Sequence, residues 1–275
     1  DLNQDPGVSY GLTAGWSGKQ QVFDRSRMGN ETSFGLGFSG NEMIGKFVAG
    51  NDFNYVQAHA TSIAASGKYN ISSCSSEVIA SGRVQMKNYQ AVDLINGLER
   101  HDGYTHAFFK SFTPALQNSI RQYASQGGRI LISGSYTGSD MQTEEEQAFL
   151  SDILKLSYEP TGSTAITRDI NPEDSTVTER DSIVYTSPNV KGLGLQFSYY
   201  NELNAQHYAA THPEILKPVG NYAFTAMQYD TGTSAAVAYK STTYRSFVMG
   251  FPLECIIDES TRTSVLLGIL KFLTD

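Results

Sequence analysis

The sequence predicts a three-layer α/β domain, with helices on both faces of a sheet and antiparallel strands added late in the chain. Three observations predict it. The stretch 112–138 reads as a capped helix, a Gly-Gly turn, a buried strand and a tight Gly turn, and a second helix follows. The strand in that unit, Arg129 to Ser133, is continuously apolar at its centre rather than alternating, as expected where helices cover both faces. Finally, three short strand patterns precede a last helix whose Val265, Leu266, Ile269, Leu270 and Leu273 fit a 3.6-residue period.

The elements follow in chain order. Residues 1–50 are rich in Gly and polar side chains and form a separate N-terminal segment packed on the main domain, 51–275. Within that segment Phe34, Leu36 and Phe38 alternate as one half-buried strand, and Ile44 to Val48 is a second candidate. From Tyr55 to Ala65 small and apolar residues recur at helical spacing until Gly67 stops them. Tyr69 to Ser72 reads as a short strand. Ser75-Ser76-Glu77 has the caps and acidic first turn of a helix start, with Gly82 as its stop. Ala91 to Ile95 is a compact strand, followed by the loop Asn96-Gly97-Leu98-Glu99. Thr113 caps a helix with Pro114 at its first position, and Leu116, Ile120 and Tyr123 mark its buried face. Gln142 to Leu154 is the next helix. The stretch 157–222, with five prolines, reads as strands at Ser182 to Tyr185 and Leu193 to Tyr199 within long loops. The late strands are Ala223 to Tyr229, Ala235 to Tyr239 and Arg245 to Met249, and the final helix runs from Ser260 to Leu273.

Composition narrows the function classes. A chain of 275 residues buries roughly three quarters of its unfolded surface and needs no metal or disulfide to hold a core. A net charge of -8 disfavours nucleic acid, whose phosphates need a basic footprint. No apolar run is long enough to span a membrane. Only 17% of residues are charged while 16 are Tyr and 14 are Phe, a balance common among secreted proteins that meet carbohydrate. The chain starts at Asp1 with no leader and reads as a mature form or a piece of something longer. Cys74 and Cys255 are two buried thiols or one bridge, and the sequence does not choose. No dinucleotide fingerprint, P-loop or close histidine arrangement is present, so no cofactor or metal is expected.

The candidate chemistry lies at two Gly-containing loops. In Gly134-Ser135-Tyr136-Thr137-Gly138 two glycines flank a central side chain between a buried strand and a helix, the pattern of a nucleophile elbow. Its apex is Tyr136, a poor nucleophile as a neutral phenol. Ser135, Thr137 and Asp140 surround it as binding candidates; the bland alternative is a structural turn. In Gly250-Phe251-Pro252-Leu253-Glu254 a carboxylate follows a strand, where it can orient a histidine, bind a sugar hydroxyl, cap a helix or meet Arg262. His59, one turn after Tyr55, can reach a cleft or lie in the interior. His212-Pro213-Glu214 reads as a surface segment. The acidic run Glu144 to Glu146 supports a helix start rather than opposed glycosidase carboxylates.

On these residues the chain resembles the class I glutamine amidotransferase-like fold, a flavodoxin-like architecture. That family carries a cysteine in a G-x-C-x-G elbow and a histidine in a late Q-F-H-P-E segment. Here the elbow holds Tyr136, Glu254 matches the glutamate and Pro252 stands at the histidine position, so amidotransferase activity is not implied. Longer runs, Tyr89 to Glu99, Gly127 to Asp140 and Gly250 to Glu254, resemble secreted Bacteroidetes proteins labelled xanthan lyase. That resemblance implies a secreted or cell-surface module beside other domains of its parent. The expected function is a degenerate, non-catalytic module that binds glycan or peptide or organises neighbouring domains. The alternative is an atypical polysaccharide lyase or hydrolase in which Tyr136 and Glu254, both at the carboxyl edge of the sheet, are catalytic. Arg129 or Arg245 would then neutralise a uronate carboxylate.

Overall fold

The computed structural model describes residues 21–22, 47–48, 55–100, 110–170, 177–202 and 208–275. The strand expected at Phe34 to Phe38 and the histidines His101, His106 and His207 lie outside these residues. Strands β1 (Gln21–Val22) and β2 (Phe47–Val48) pair antiparallel. Helix α1 (Tyr55–Ala64) and the short α2 (Ser76–Ala80) lead to β3 (Val92–Gly97). Tyr69 to Ser72, expected as a strand, has no regular structure. Helix α3 (Pro114–Ser125) follows, with Thr113 Oγ1 accepting from the Leu116 N–H as the sequence pattern predicts. Next come β4 (Arg129–Gly134) and α4 (Glu144–Phe149), whose capping box joins Thr143 and Glu146. One π turn, Leu150–Leu154, prolongs that helix and ends at Lys155 in a left-handed conformation.

The looser stretch contains more strands than its composition suggests: β5 (Leu156–Glu159), β6 (Thr164–Ile170), β7 (Val177–Ile183), β8 (Asn189–Gly192), β9 (Leu195–Ser198) and β10 (Ile215–Pro218). Then come β11 (Ala223–Tyr229), β12 (Ser234–Lys240), β13 (Arg245–Met249) and α5 (Glu259–Thr274), N-capped by Asp258.

The main sheet corrects the expected architecture. It has seven strands in the order β3-β4-β13-β12-β11-β8-β9. Only β3, β4 and β13 run parallel; β13, β12, β11, β8 and β9 pair antiparallel in succession. The result is an open, strongly curled half-barrel with flanking helices, not the flat three-layer, flavodoxin-like or amidotransferase-like sheet. The physical reason lies in the second half of the chain. There β11, β12 and β13 follow one another through short turns rather than crossover helices, so neighbouring strands run antiparallel. Register shifts interrupt the β11–β12 ladder between Thr225 and Gln228, and such irregularities increase local twist and coil a sheet.

The half that carries the parallel strands has a core on each face. Successive β4 residues alternate: Leu131 joins the cluster with Tyr55, Phe247, Met249, Leu266 and Ile269, while Ile130 and Ile132 join Ile120, Phe149 and Val248. Helices α1 and α5 therefore cover one face and α2, α3 and α4 the other. Neither thiol is in a disulfide; Cys74 is exposed and Cys255 buried. Among the described residues no helix is long and apolar enough to cross a membrane, and no cluster of three or more His, Cys, Asp or Glu could hold a metal ion.

Candidate functional site

Two polar clusters gather residues that the sequence singles out. The first is sealed. Tyr55, His59 and Ser62 sit at i, i+4 and i+7 of α1 and form its buried face. Asp93 registers with Leu131, so it faces the same side of the sheet as α1. His59 is thereby held at both ring nitrogens: Nδ1 lies 2.7 Å from Asp93 Oδ2 and Nε2 3.1 Å from Glu254 Oε2. Tyr208 donates its O–H to the other oxygen of Glu254. His59 is 2% exposed and Glu254 0%, so solvent does not reach either.

The electrostatics follow from that enclosure. Burial alone pulls the His59 imidazole down, but Asp93 and Glu254 outweigh it and raise its pKa to about 10. Burial likewise pushes Glu254 up, and hydrogen bonds and charge from His59, with the Tyr208 O–H, bring it below the ordinary carboxylate value. The pair is an imidazolium and a carboxylate at neutral pH. Glu254 does orient a histidine, one that lies 195 residues away in the chain. Arg262, its sequence-level partner, bonds the carbonyl of Ile256 instead.

The second cluster is open and lies where β3 and β4 end. Tyr136 is half-buried. The Arg100 guanidinium carbon is 4.7 Å from its ring centroid, and the His212 ring centroid is 5.6 Å away. Arg100 and His212 are both exposed. Burial, and then the charge of Arg100, lower the His212 pKa, so its imidazole is neutral at pH 7. His212 Nδ1 lies 2.9 Å from Thr211 Oγ1.

The remaining loop residues support rather than present. Ser135 and Thr137 are fully buried. Asp140 is also buried and accepts the Ser111 N–H at 2.9 Å, while Ser111 Oγ donates to the carbonyls of Glu99 and Tyr136. Tyr136 is not among the residues with positive φ, so the turn lacks the backbone strain of an elbow. The flanking glycines have another cause. A Cβ on Gly134 would stand 2.8 Å from Asn96 Cβ, and one on Gly138 would stand 2.6 Å from Tyr158 Cβ.

Arg129 and Arg245 are not at this edge. They open their strands at the opposite, amino end, where Arg129 bonds the carbonyls of Gly127 and Gly128 and Arg245 bonds that of Phe272. The cation beside Tyr136 is Arg100, which sequence reasoning missed. Its signal was its place three residues beyond a strand aligned in parallel with the strand before Tyr136. The segment His212-Pro213-Glu214 is only half a surface feature, because Glu214 is 3% exposed.

Two comparisons with known sequences, one with protein-family models and one with curated proteins, find no match to this chain. Among solved structures, a polyextremophilic β-galactosidase from the Antarctic haloarchaeon Halorubrum lacusprofundi is similar over 68% of this chain and 22% of its own. The identity is 15% and the TM-score 0.39. An exo-β-1,4-mannosidase from Opitutaceae bacterium strain TAV5 is similar over 57% of this chain and 24% of its own, at 12% identity and a TM-score of 0.33. This chain thus spans less than a quarter of the length of either enzyme.

Proposed function

We propose that the chain binds an acidic polysaccharide at the edge formed by Tyr136, Arg100 and His212, and cleaves it as an atypical lyase. One observation carries this reading: a cation and a neutral imidazole converge within 6 Å of one phenol ring at an open sheet edge. Arg100 supplies the charge that a uronate carboxylate requires. His212 Nε2 takes the proton next to that carboxylate. The electrons of that C–H bond form a carbon–carbon double bond, the bond to the glycosidic oxygen breaks, and its pair leaves on the oxygen. The Tyr136 O–H protonates that oxygen. Glu254 takes no part, since both its oxygens are engaged inside the protein. The expected setting is a secreted multidomain protein, with other domains of the parent as partners.

The test is incubation of the full chain with polyuronate, following the ultraviolet absorbance of the unsaturated uronate product. Tyr136→Phe and His212→Ala should each lower the rate by roughly 10²–10⁴-fold, the usual contribution of a positioned proton donor or acceptor. Absence of product with every acidic polysaccharide tried sinks the lyase reading. A second reading, a glycan- or peptide-binding module without turnover, is favoured by the burial of Ser135, Thr137 and Asp140, which leaves Tyr136 as the only one of these four reaching solvent. Saturable binding without product distinguishes it.

A further inference from the structure

Both Gly-containing motifs that stand out in the sequence have the same neighbour. The Glu214 carboxylate accepts the N–H of Gly138 at 2.7 Å through Oε2 and the N–H of Ser139 at 2.8 Å through Oε1. A Cβ on Gly138 would stand 3.3 Å from Oε2. On the other side, the Glu214 N–H donates to the Gly250 carbonyl at 2.7 Å, and a Cβ on Gly250 would stand 2.3 Å from the Glu214 carbonyl oxygen. Tyr229 donates its O–H to that same carbonyl at 2.8 Å. Glu214 is thus wedged between the loops that follow β4 and β13, two residues from His212.

We infer that Glu214 is the positioning residue of the Tyr136 edge: its carboxylate fixes the loop carrying Tyr136 against the segment carrying His212. The arrangement is bidentate, one carboxylate oxygen to each of two successive N–H groups, and a side chain with a single acceptor oxygen cannot reproduce it. It needs the ionised form, because a protonated carboxyl turns one acceptor into a donor. Three titratable groups face the carboxylate from the elements around it: Asp140 on the loop after β4, Tyr158 on β5 and Tyr229 on β11. Burial, reinforced by Asp140 and opposed by the bonds from Ser139 and Gly138, puts the Glu214 pKa at about 7. The clamp therefore closes as pH rises through neutrality and opens below it. The assignment rests on the proposed role of this edge, but the clamp can be tested without any ligand.

The experiment is NMR on the full chain, wild type and Glu214→Gln. In the wild type the Gly138 and Ser139 amide shifts should titrate together with an inflection near the Glu214 value. In Glu214→Gln the two amides should lose that inflection and exchange about tenfold faster, the scale of one lost hydrogen bond. The His212 ring signals should shift as its geometry with Tyr136 relaxes, while β4 and β13 amides keep their protection. Amides that ignore pH in the wild type overturn the inference even if the variant does not fold. Unchanged exchange and His212 signals in a folded variant overturn it too. Binding of an oligouronate probe, measured on the same samples from pH 6 to 8, separates the two readings. Affinity that strengthens with pH in the wild type and is flat in the variant supports both. The full set of NMR changes without probe binding at any pH supports the clamp and overturns the glycan reading.

Discussion

His59 and His212 are imidazoles of one fold in opposite circumstances. His59 has a carboxylate at each nitrogen and no solvent, and it is held as a cation. His212 has a cation and a phenol beside it and solvent around it, and it is held neutral. A histidine that is charged, saturated and sealed can organise a core but cannot exchange a proton with a ligand. A neutral one at an open edge can. The difference separates structural ionisation from chemistry more sharply than the histidine count does. It also shows that burial does not set the sign of a shift: desolvation is the largest influence on both, and the neighbours decide the outcome.

The comparison breaks most visibly when one partner of the sealed cluster is removed. His59→Ala leaves the buried Glu254 and the partly exposed Asp93 without their cation, and Glu254→Ala leaves the imidazolium short of one carboxylate. Each should cost about 3–5 kcal/mol, read as a lower denaturant midpoint. Unchanged midpoints would mean that the cluster is wet. Tyr208→Phe removes only the O–H donated to Glu254 and should cost about 1–3 kcal/mol. The cluster also makes stability depend on pH. A His59 pKa raised from 6.5 to about 10 stabilises the fold fully below pH 6.5, and that contribution is lost as pH rises towards 10. Glu254 works in the other sense, its depressed pKa giving stability that is lost as pH falls below the ordinary carboxylate value. The cluster contributes most between about pH 5 and 6.5. Urea midpoints across pH 5–10 should fall with rising pH. Glu214 adds to the early part of that fall, because its raised pKa also favours the folded state at low pH. A His59→Leu variant separates them by flattening the curve above pH 7. At the open edge the smallest stability effect is expected. Arg100→Ala and Tyr136→Phe should each shift stability by less than about 1 kcal/mol, the scale of an exposed cation–π contact, while Arg100→Ala weakens oligouronate binding and Tyr136→Phe lowers turnover by roughly 10²–10⁴-fold.

Much of the fold on the parallel side was legible. Thr113 and Pro114 mark a helix start because a hydroxyl acceptor and a missing N–H are both local properties. The run Arg129 to Ser133 is apolar at its centre because both its faces are covered. Strands β11 and β13 occupy the expected ranges. The stretch 157–222 was not legible in the same way. Prolines and polar residues separate its strands, so composition resembles loop, and β5 and β8 pair with β10 and β11, partners far along the chain.

The same division holds within the sites. His59 at the fifth position of α1, one turn from Tyr55, is local information, and helical periodicity alone turns both inward. That Asp93 and Glu254 meet it is not local, since the three come from a helix, a strand and a turn distant in sequence. Gly138 and Gly250 stand out in the sequence as the marks of a reactive turn. The backbone and side chain of Glu214, which require their missing Cβ atoms, belong to a segment that reads as surface. The sequence by itself determined the helix starts, the buried parallel strands and the inward faces, because each depends on covalent geometry and on periodicity within a few residues. Tertiary structure alone decided the curl of the sheet, the enclosure of Glu254 and the meeting of Arg100, Tyr136 and His212. Those depend on which distant strands pair and on what charge each buried group then faces.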